Sequence, residues 1–202
     1  MTQRRRARPP RLAKPLLVID TETTGLDPAT DALVQLAAIM LDPQSLAEQA
    51  AFSTLIRSQR PISAEAHAVH GLAREDLEAA PELPSAISAF AKFAEPSAVI
   101  SGHNVGFDYA FLKSAYAQVG LEFPFDYHTL DIWSLSFFIL GADGIELPKY
   151  NLDHLCSLYG IVRGPRHDAM EDVRASAQVL RHLFAAIGAR ELETLGQLRL
   201  FR

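Results

Sequence analysis

The chain has one cysteine and no long apolar run, and these two absences exclude several classes of protein. Cys156 is the only cysteine among 202 residues, so neither an internal disulfide nor a zinc site built from several cysteines can form. A chain without disulfides suits a reducing compartment, and we expect a cytoplasmic protein. The longest strongly apolar stretch, 132–142, is about half of the roughly 20 residues that a membrane-spanning helix needs. We therefore expect no membrane partner.

Basic charge is concentrated at the N-terminus. The chain has 19 Lys and Arg and 24 Asp and Glu, with a formal net charge of −5. Six of the basic residues lie within the first fourteen positions, where no acid occurs. The remaining 13 basic groups oppose 24 acidic ones, a formal charge near −11. We read residues 1–14 as a disordered basic tail, which either keeps the protein soluble or attracts a polyanion, and residues 15–202 as one domain.

The hydrophobic pattern predicts an α/β domain with a mixed sheet. Continuous apolar runs at 16–20 and 33–41 predict buried strands, and 51–57 predicts a third strand that completes a meander. Beyond residue 63, helical patterns alternate with short strands, which is typical of a sheet with helices packed on it. The predicted strands further along the chain are 98–101 and 128–130, and the predicted helices are 63–70, 74–79, 85–95, 107–119, 131–140, 151–159 and 168–187.

Acidic residues are attached to these apolar elements. Asp20 and Glu22 end the first strand, and their spacing of two places both side chains on the same face. Ligand sites of open α/β sheets gather at the carboxyl ends of strands. An isolated Asp-x-Glu is weak evidence, because a turn or a helix cap explains it equally well.

Further polar residues could join this pair. Asp108 follows the fourth predicted strand in a segment with two glycines, and Asp172 lies inside the long last helix. A helix-starting residue explains Asp108, and a solvated surface acid explains Asp172, when each is taken alone. His167 precedes Asp172 by five residues, and Gly164 and Pro165 indicate that this histidine belongs to a loop from which it could face the same site.

Four converging carboxylates would repel one another and raise each other's pKa values unless they held cations. Oxygen ligands favour Mg²⁺ or Mn²⁺ over zinc. Two such ions can bind both the attacking and the leaving oxygen of a phosphoryl transfer. A neutral imidazole suits removal of a proton from the attacking water. The residue types therefore indicate two-metal phosphodiester hydrolysis, although spacing alone does not establish that these side chains meet.

Three segments carry a resemblance to a known family. The segments 18–26 (VIDTETTGL), 102–112 (GHNVGFDYAFL) and 167–172 (HDAMED) resemble the three motifs of the DnaQ-like, or DEDDh, 3′→5′ exonucleases. That family includes the proofreading epsilon subunit of bacterial DNA polymerase III. The resemblance extends from about residue 15 to residue 183, and the basic tail is not part of it.

The resemblance implies a ribonuclease-H-like fold, in which helices flank a five-stranded mixed sheet. It implies that Asp20, Glu22 and Asp172 bind one divalent cation, while Asp20 and Asp108 position a second one. His167 would deprotonate the attacking water. The products would be a nucleoside 5′-monophosphate and a strand with a free 3′-hydroxyl.

The resemblance also implies substrate contacts. Thr23 would meet the 3′ end, and His70, within a segment similar to the family's His-Gly segment, would lie near the terminal nucleotide. Asn104 and Phe107 would touch the terminal sugar or base, although packing at the start of a helix explains Phe107 equally well. We expect Trp133 and Cys156 in the core.

Three functions remain open at this point. The first is a metal-dependent exonuclease that acts on single-stranded DNA 3′ ends, for which proofreading beside a DNA polymerase is one setting. The second is an exoribonuclease that trims RNA 3′ ends, similar to ribonuclease T or oligoribonuclease. The third is a non-catalytic module that binds nucleic acid or a polymerase. The complete set of four acids and one histidine favours an enzyme.

Overall fold

The computed structural model describes residues 12–164 and 168–189. Most of the predicted tail, His167 and the C-terminal residues from 190 onward lie outside the described residues. Leu12 already contacts the domain: its amide donates to the Pro43 carbonyl at 3.0 Å, and its side chain packs against the core. The described part of the chain contains no helix long and apolar enough to cross a bilayer.

A mixed sheet of five strands forms the centre of the molecule, in the order β3-β2-β1-β4-β5. The first three strands form the predicted antiparallel meander, and β4 and β5 add in parallel on the other side of β1. Both faces of β1 and β2 are buried, which explains their continuous apolar sequences. The strands are β1 (Leu16–Thr23), β2 (Leu33–Leu41), β3 (Glu48–Leu55), β4 (Val99–Gly102) and β5 (Leu130–Asp131).

Six α-helices of the described residues flank the sheet, and local capping determines where several of them begin. The side chains of Ser63, Asp131 and Asn151 accept hydrogen bonds from backbone amides in the first turns of α1, α4 and α5. The helices are α1 (Ala64–His70), α2 (Leu83–Phe93), α3 (Gly106–Gln118), α4 (Ile132–Ala142), α5 (Leu152–Tyr159) and α6 (Ala169–Ala189).

Each face of the sheet has its own hydrophobic cluster. On one face, α4, α5 and α6 pack against Leu16 and Val18, in a mostly aliphatic cluster that includes Cys156. On the other face, α2 and α3 pack against Leu17 and Ile19 in a cluster rich in aromatic rings. The alternation of side chains along β1 thus supplies both clusters, and the prediction that Cys156 is a core residue is confirmed.

β1 continues beyond its pairing with β4, and we call the region beside this unpaired part of β1 the crevice. The two strands pair in parallel only from Leu16 to Val18, and β4 ends at Gly102. A Cβ atom at Gly102 would lie 2.8 Å from the Ile19 carbonyl oxygen, so a residue without a side chain is needed where the chain leaves the sheet this close to β1. Beyond Val18, β1 therefore has no paired residue on the β4 side, and side chains of both helical layers can approach its carboxyl end.

The structure corrects several sequence-based boundaries. The third strand spans Glu48–Leu55 instead of 51–57, and β5 spans Leu130–Asp131 instead of 128–130. Both are edge strands with exposed or half-buried residues, so apolar residues do not mark their ends. The segment Arg74–Leu77 is a 3₁₀ helix rather than an α-helix. The expectation that Trp133 lies in the core is wrong, since 43% of this residue is exposed.

Candidate active site

Two of the expected acids lie on the part of β1 that extends past β4. Asp20 and Glu22 share the face of the strand that Leu16 and Val18 occupy further back, as their spacing predicts. Glu22 is buried and Asp20 is half-buried. Both carboxylates therefore lie at the carboxyl end of the central strand, beneath the N-terminal part of α6.

Asp108 reaches the crevice from the opposite helical layer. It lies in the first turn of α3 and is buried. Its carboxylate accepts a hydrogen bond of 2.7 Å from the hydroxyl of Thr21, the residue between the two acids of β1. Because Thr21 points to the α3 side of the sheet, this bond fixes Asp108 against β1.

Asp172 approaches from the α6 layer and has a cation as its partner. It is buried on the first turn of α6, and its carboxylate forms an ion pair with the guanidinium of Arg163. Arg163 also pairs with Asp153 at 2.5 Å, and only 11% of its side chain is exposed. The guanidinium therefore bridges α5 and α6 immediately beside the acids of β1.

The acids are close enough to change one another's proton affinities. Burial raises the pKa of Asp20 well above its ordinary range, and the charges of the other acids raise it further, whereas Arg163 lowers it. Burial and the nearby acids raise the pKa of Glu22 to about 8. Burial likewise raises the pKa of Asp108 to about 7, against the lowering effect of its hydrogen bond from Thr21. The group that shares this repulsion is Asp20, Glu22, Asp108 and Asp172.

The donor set suits a divalent cation chemically, but these carboxylates are not arranged as a ligand shell. Within residues 12–164 and 168–189, no three His, Cys, Asp or Glu side chains are grouped around one possible metal position. Asp172 is turned towards Arg163, and Asp108 is turned towards Thr21. Buried, mutually repelling carboxylates are nevertheless the hard oxygen donors that Mg²⁺ and Mn²⁺ prefer. The residues therefore fit such ions, provided that Asp172 exchanges its arginine for metal.

The expected histidine cannot be placed, because His167 lies outside the described residues. Its neighbour Asp168 begins α6: the carboxylate accepts backbone amides of Met170 and Glu171 at 3.0 and 3.2 Å. Asp168 also adds to the negative field that raises the pKa of Glu22.

Two of the expected substrate contacts are bound into the local structure. His70 has both ring nitrogens engaged: Nδ1 lies 3.0 Å from the amide of Leu72, and Nε2 lies 3.1 Å from the carbonyl of Thr23. Because the amide can only donate, Nδ1 accepts, and the proton is on Nε2. The Thr23 hydroxyl donates to the Gly25 carbonyl at 2.5 Å. These bonds join α1 to the end of β1 and shape the rim of the site.

The other two expected contacts lie beyond β4. Asn104 is exposed and has a positive φ of 60°, and its backbone amide donates a hydrogen bond to the Asp131 carboxylate at 2.8 Å. Phe107 is half-buried, with its ring 4.8 Å from that of Phe111. Packing at the start of α3 accounts for Phe107, and Asn104 alone presents its side chain to solvent.

Sequence reasoning missed two residues that hold the acids. The only sequence feature that could have indicated a role for Thr21 is its position between Asp20 and Glu22. Arg163 gave none, because an arginine in a loop between two helices is an ordinary surface residue until the fold buries it.

The segment that forms this crevice matches a known protein family. The exonuclease family model RNase_T matches residues 17–180. The chain belongs to this exonuclease family. The match covers β1 to α6, so it contains every acid described above, and the family predicted from the three motifs is confirmed.

Curated relatives bear names from bacterial replication. A DNA polymerase III subunit epsilon-like protein of Rhodobacter capsulatus is 37% identical over 89% of this chain. A DNA polymerase III PolC-type protein of Thermotoga maritima is 29% identical over 91% of the chain. The chain spans only 25% and 13% of the length of these two relatives. It spans 74% of the DNA polymerase III subunit epsilon of Treponema pallidum, which is 25% identical.

Solved structures of exonuclease I share the fold of this exonuclease-family chain. One superposes with a TM-score of 0.73 at 23% identity, covering 85% of this chain and 42% of that one. Another, of the Escherichia coli enzyme in complex with a dA16 oligonucleotide, gives a TM-score of 0.71 at 22% identity, with the same coverage. The predicted ribonuclease-H-like fold, a five-stranded mixed sheet flanked by helices, is confirmed.

Proposed function

We propose that the chain is a DEDDh 3′→5′ exonuclease that hydrolyses the terminal phosphodiester of single-stranded DNA in the presence of Mg²⁺ or Mn²⁺. The products would be nucleoside 5′-monophosphates. The observation that supports this proposal is the meeting of four acids at one crevice. Burial raises the pKa values of Asp20, Glu22 and Asp108, and neighbouring acids raise those of Asp20 and Glu22 further. Such an arrangement is costly for stability unless cations neutralise it, and function is the reason to retain it.

Each residue has a distinct part in this proposal. Asp20, Glu22 and Asp172 would hold one cation, and Asp20 and Asp108 would hold the second. When bound, the ions stabilise negative charge on the attacking and leaving oxygens of the phosphodiester. His167 removes a proton from the attacking water, as a neutral imidazole can near pH 7.

The surrounding residues position the substrate. Thr21 holds Asp108 in place through its hydroxyl. Thr23 and His70 maintain the rim of the site where the 3′ end enters. Asn104 offers an exposed amide to the terminal sugar or base, with Phe107 beside it.

The names of the relatives support DNA as the first candidate substrate. Exonuclease I has been solved with dA16 and dT13 oligonucleotides, and several relatives are named after DNA polymerase III. These names motivate DNA as substrate and a DNA polymerase as a candidate partner. RNA 3′ ends are the second candidate substrate, because no described residue is positioned in a way that would select for or exclude a ribose 2′-hydroxyl.

The experiment is a comparison of end-labelled single-stranded DNA, duplex DNA and RNA, each with Mg²⁺, Mn²⁺ or chelator. We expect 5′-labelled single-stranded DNA to shorten one nucleotide at a time with either metal and to remain intact with chelator. Asp20→Asn should lower the rate by at least about 10²-fold, since it removes one charge from the group that holds both cations. Faster trimming of RNA would identify the exoribonuclease.

Glu95→Gln is a matched control, because Glu95 is an exposed acid just before the amino end of β4, whereas the crevice lies at the carboxyl ends of β1 and β4. Its rate should equal that of the unmodified chain. Metal-dependent release of mononucleotides by Asp20→Asn at the unmodified rate would overturn the proposal. Binding of single strands without any hydrolysis would identify the non-catalytic module instead.

A further inference from the structure

A cleft of about 780 Å³ lies beside the candidate active site, and Asn104 is the one residue of its lining that the proposed function uses. Its walls come from the turn after β4, the first turn of α4 and the segment before α5. The residues important for its character are Asn104, Trp133, Ser134, Lys149, Tyr150 and Asn151.

An aromatic surface forms one wall of the cleft. Trp133 and Phe137 are one turn apart on α4, and their rings stack in parallel, with centroids 5.5 Å apart and planes inclined by 4°. The ring of Tyr150 packs its edge against Phe137 at 5.2 Å. Trp133 and Phe137 nevertheless remain 43% and 54% exposed. The stack thus holds the Trp133 indole in a fixed orientation, while much of its surface stays available for a planar ligand.

Hydrogen bonds hold the other walls in place. His103 Nε2 lies 2.8 Å from the Tyr150 carbonyl oxygen, which joins the turn after β4 to the segment before α5. The Asp131 carboxylate accepts the Asn104 amide on one oxygen and the Ser134 amide on the other. The cleft is therefore formed without a ligand, which lowers the entropic cost of binding.

The lining of the cleft contains one lysine, Lys149, that can pair with a bound phosphate. Lys149 is exposed, whereas the one acid of the lining, Asp131, caps α4 with its carboxylate. The domain as a whole is acidic, so a polyanion would be repelled elsewhere and needs a local cation. An aromatic platform beside a cation and side-chain amides is the composition with which proteins bind single-stranded nucleic acids.

The position of the cleft matches a strand that leaves the active site. In the sheet, β5 is separated from β1 only by β4, and the registers place Asp131 level with Ile19, so about 10 Å separates the end of β5 from the residue before Asp20. Asp131 ends β5, and Asn104 belongs both to the cleft and to the residues proposed to touch the terminal nucleotide. A strand with its 3′ end at the acids can therefore continue into the cleft.

We propose that this cleft binds the nucleotides upstream of the scissile bond, with one base stacked on Trp133 and a phosphate paired with Lys149. The inference rests on the proposed exonuclease function and adds a second subsite to it. The cleft thus selects single strands several nucleotides long over shorter ones.

Fluorescence provides a direct test, because Trp133 is the only tryptophan in the chain. The Asp20→Asn protein is titrated with a single-stranded DNA octamer and, separately, with thymidine 5′-monophosphate. We expect the octamer to quench the fluorescence saturably, and the mononucleotide to leave it unchanged. Binding of the octamer, measured by anisotropy of a labelled end, without any change in tryptophan emission would overturn the proposal.

Kinetics on two substrates separates the cleft from the chemistry. The p-nitrophenyl ester of thymidine 5′-monophosphate has no nucleotide upstream of the bond that is cleaved. Trp133→Leu should raise KM for the octamer about 5-fold or more and leave kcat/KM for the ester unchanged. Trp133→Phe, which keeps an aromatic face, should restore most of the affinity. Lys149→Gln should raise KM for the octamer and flatten its salt dependence by about 0.7 in log–log slope.

Two matched controls lie outside the cleft. Phe138→Leu removes another exposed aromatic ring from α4, and Lys92→Gln removes an exposed lysine from α2 on the opposite face of the sheet. Neither should change KM for the octamer. Equal loss on octamer and ester in Trp133→Leu would show a general structural defect and overturn the subsite. If the unmodified chain hydrolyses neither substrate, the exonuclease proposal itself fails.

Discussion

The two helical layers deliver their acids to the candidate site in opposite ways. On the α3 side, Asp108 is held by the neutral hydroxyl of Thr21. On the α6 side, Asp172 is held by the charged guanidinium of Arg163, which comes from the segment after α5. The α3 side is already arranged without a counter-charge, whereas the α6 side contains a cation that the proposed divalent metal would have to displace.

The difference teaches how the protein tolerates its own acids. A hydroxyl donor orients a carboxylate but does not neutralise it, and the pKa of Asp108 accordingly remains raised to about 7. An arginine neutralises as well as orients, and it also lowers the pKa of Asp20 nearby. Arg163 therefore stabilises the metal-free protein, and we expect it to compete with metal for Asp172.

Substitution of the two acids provides the strongest comparison. Asp108→Asn and Asp172→Asn should each lower hydrolysis by at least about 10²-fold, because each removes charge from the proposed cation sites. Their effects on stability at pH 8 without metal should have opposite signs. Asp108→Asn should stabilise the fold, since it removes a buried carboxylate that ionises reluctantly, whereas Asp172→Asn leaves Arg163 with only Asp153 as partner.

Thermal and urea unfolding measure this difference. We expect Asp172→Asn to cost about 2–3 kcal/mol, somewhat less than the roughly 3–5 kcal/mol typical of breaking a buried ion pair, because Asp153 remains. Equal destabilisation by both substitutions would contradict the proposed difference between the α3 and α6 sides of the site.

Arg163→Gln tests the competition directly. Removal of the guanidinium should lower the Mg²⁺ concentration for half-maximal activity by about 5-fold, equivalent to roughly 1 kcal/mol of relieved charge repulsion. It should also lower the melting temperature of the metal-free protein. Arg174→Gln, at an exposed arginine paired with Glu171 on α6, is the control and should change neither quantity. A higher Mg²⁺ requirement in Arg163→Gln would show that the arginine positions Asp172 for metal instead.

The pH dependence of stability should be smaller but clear. The pKa values of Glu22 and Asp108 are raised to about 8 and 7 in the folded chain, so the folded state binds protons more tightly than the unfolded state does. Their contribution to stability is present below about pH 4 and is lost as the pH rises through 7 to 8. The metal-free melting temperature should fall by several degrees between about pH 5.5 and 8.5, at about 2–4 °C per kcal/mol.

Mg²⁺ should cancel this decline, because it binds the ionised carboxylates of the folded state only. Calorimetry with and without millimolar Mg²⁺ across this pH range measures both effects. A melting temperature that rises over the same range without metal would contradict the raised pKa values.

The smallest effect on nucleic-acid binding is expected from the basic N-terminal tail, which belongs to neither helical layer. Removal of residues 2–11 deletes five arginines but keeps Leu12, which hydrogen-bonds to Pro43. If these arginines meet phosphates, the salt dependence of single-strand binding should flatten by about 0.7 for each phosphate that is no longer neutralised. Hydrolysis of the nitrophenyl ester should not change. An identical salt slope would limit the tail to a role in solubility.

The sequence singled out the four acids because their local surroundings in the chain are unusual. Asp20 and Glu22 interrupt an apolar run that only a central strand explains, and Asp108 and Asp172 occupy places in the three motifs. The meander and the α6 helix also followed from hydrophobic period alone. These features depend on residues close together in sequence.

The features that were missed depend on which side of an element faces the protein. In α4 nearly every residue is apolar, so the sequence could not show that Ile132 and Ile139 face the core while Trp133 and Phe137 face solvent. Arg163 was missed because its two partners come from different helices. The hydrogen bond from Thr21 to Asp108 joins residues 87 positions apart, so no local sequence pattern could predict it.

The distribution of the acids along the chain also sets when the site can exist during synthesis. The meander β1–β3 is complete by residue 55, yet the first helix that contributes an acid starts at Gly106 and the second at Ala169. A ribosome-bound chain that ends before α6 therefore has its central strand but lacks Asp172. If the proposed hydrolysis takes place at these acids, it should consequently arise only after α6 has been synthesised, and shorter nascent chains should not degrade nucleic acid.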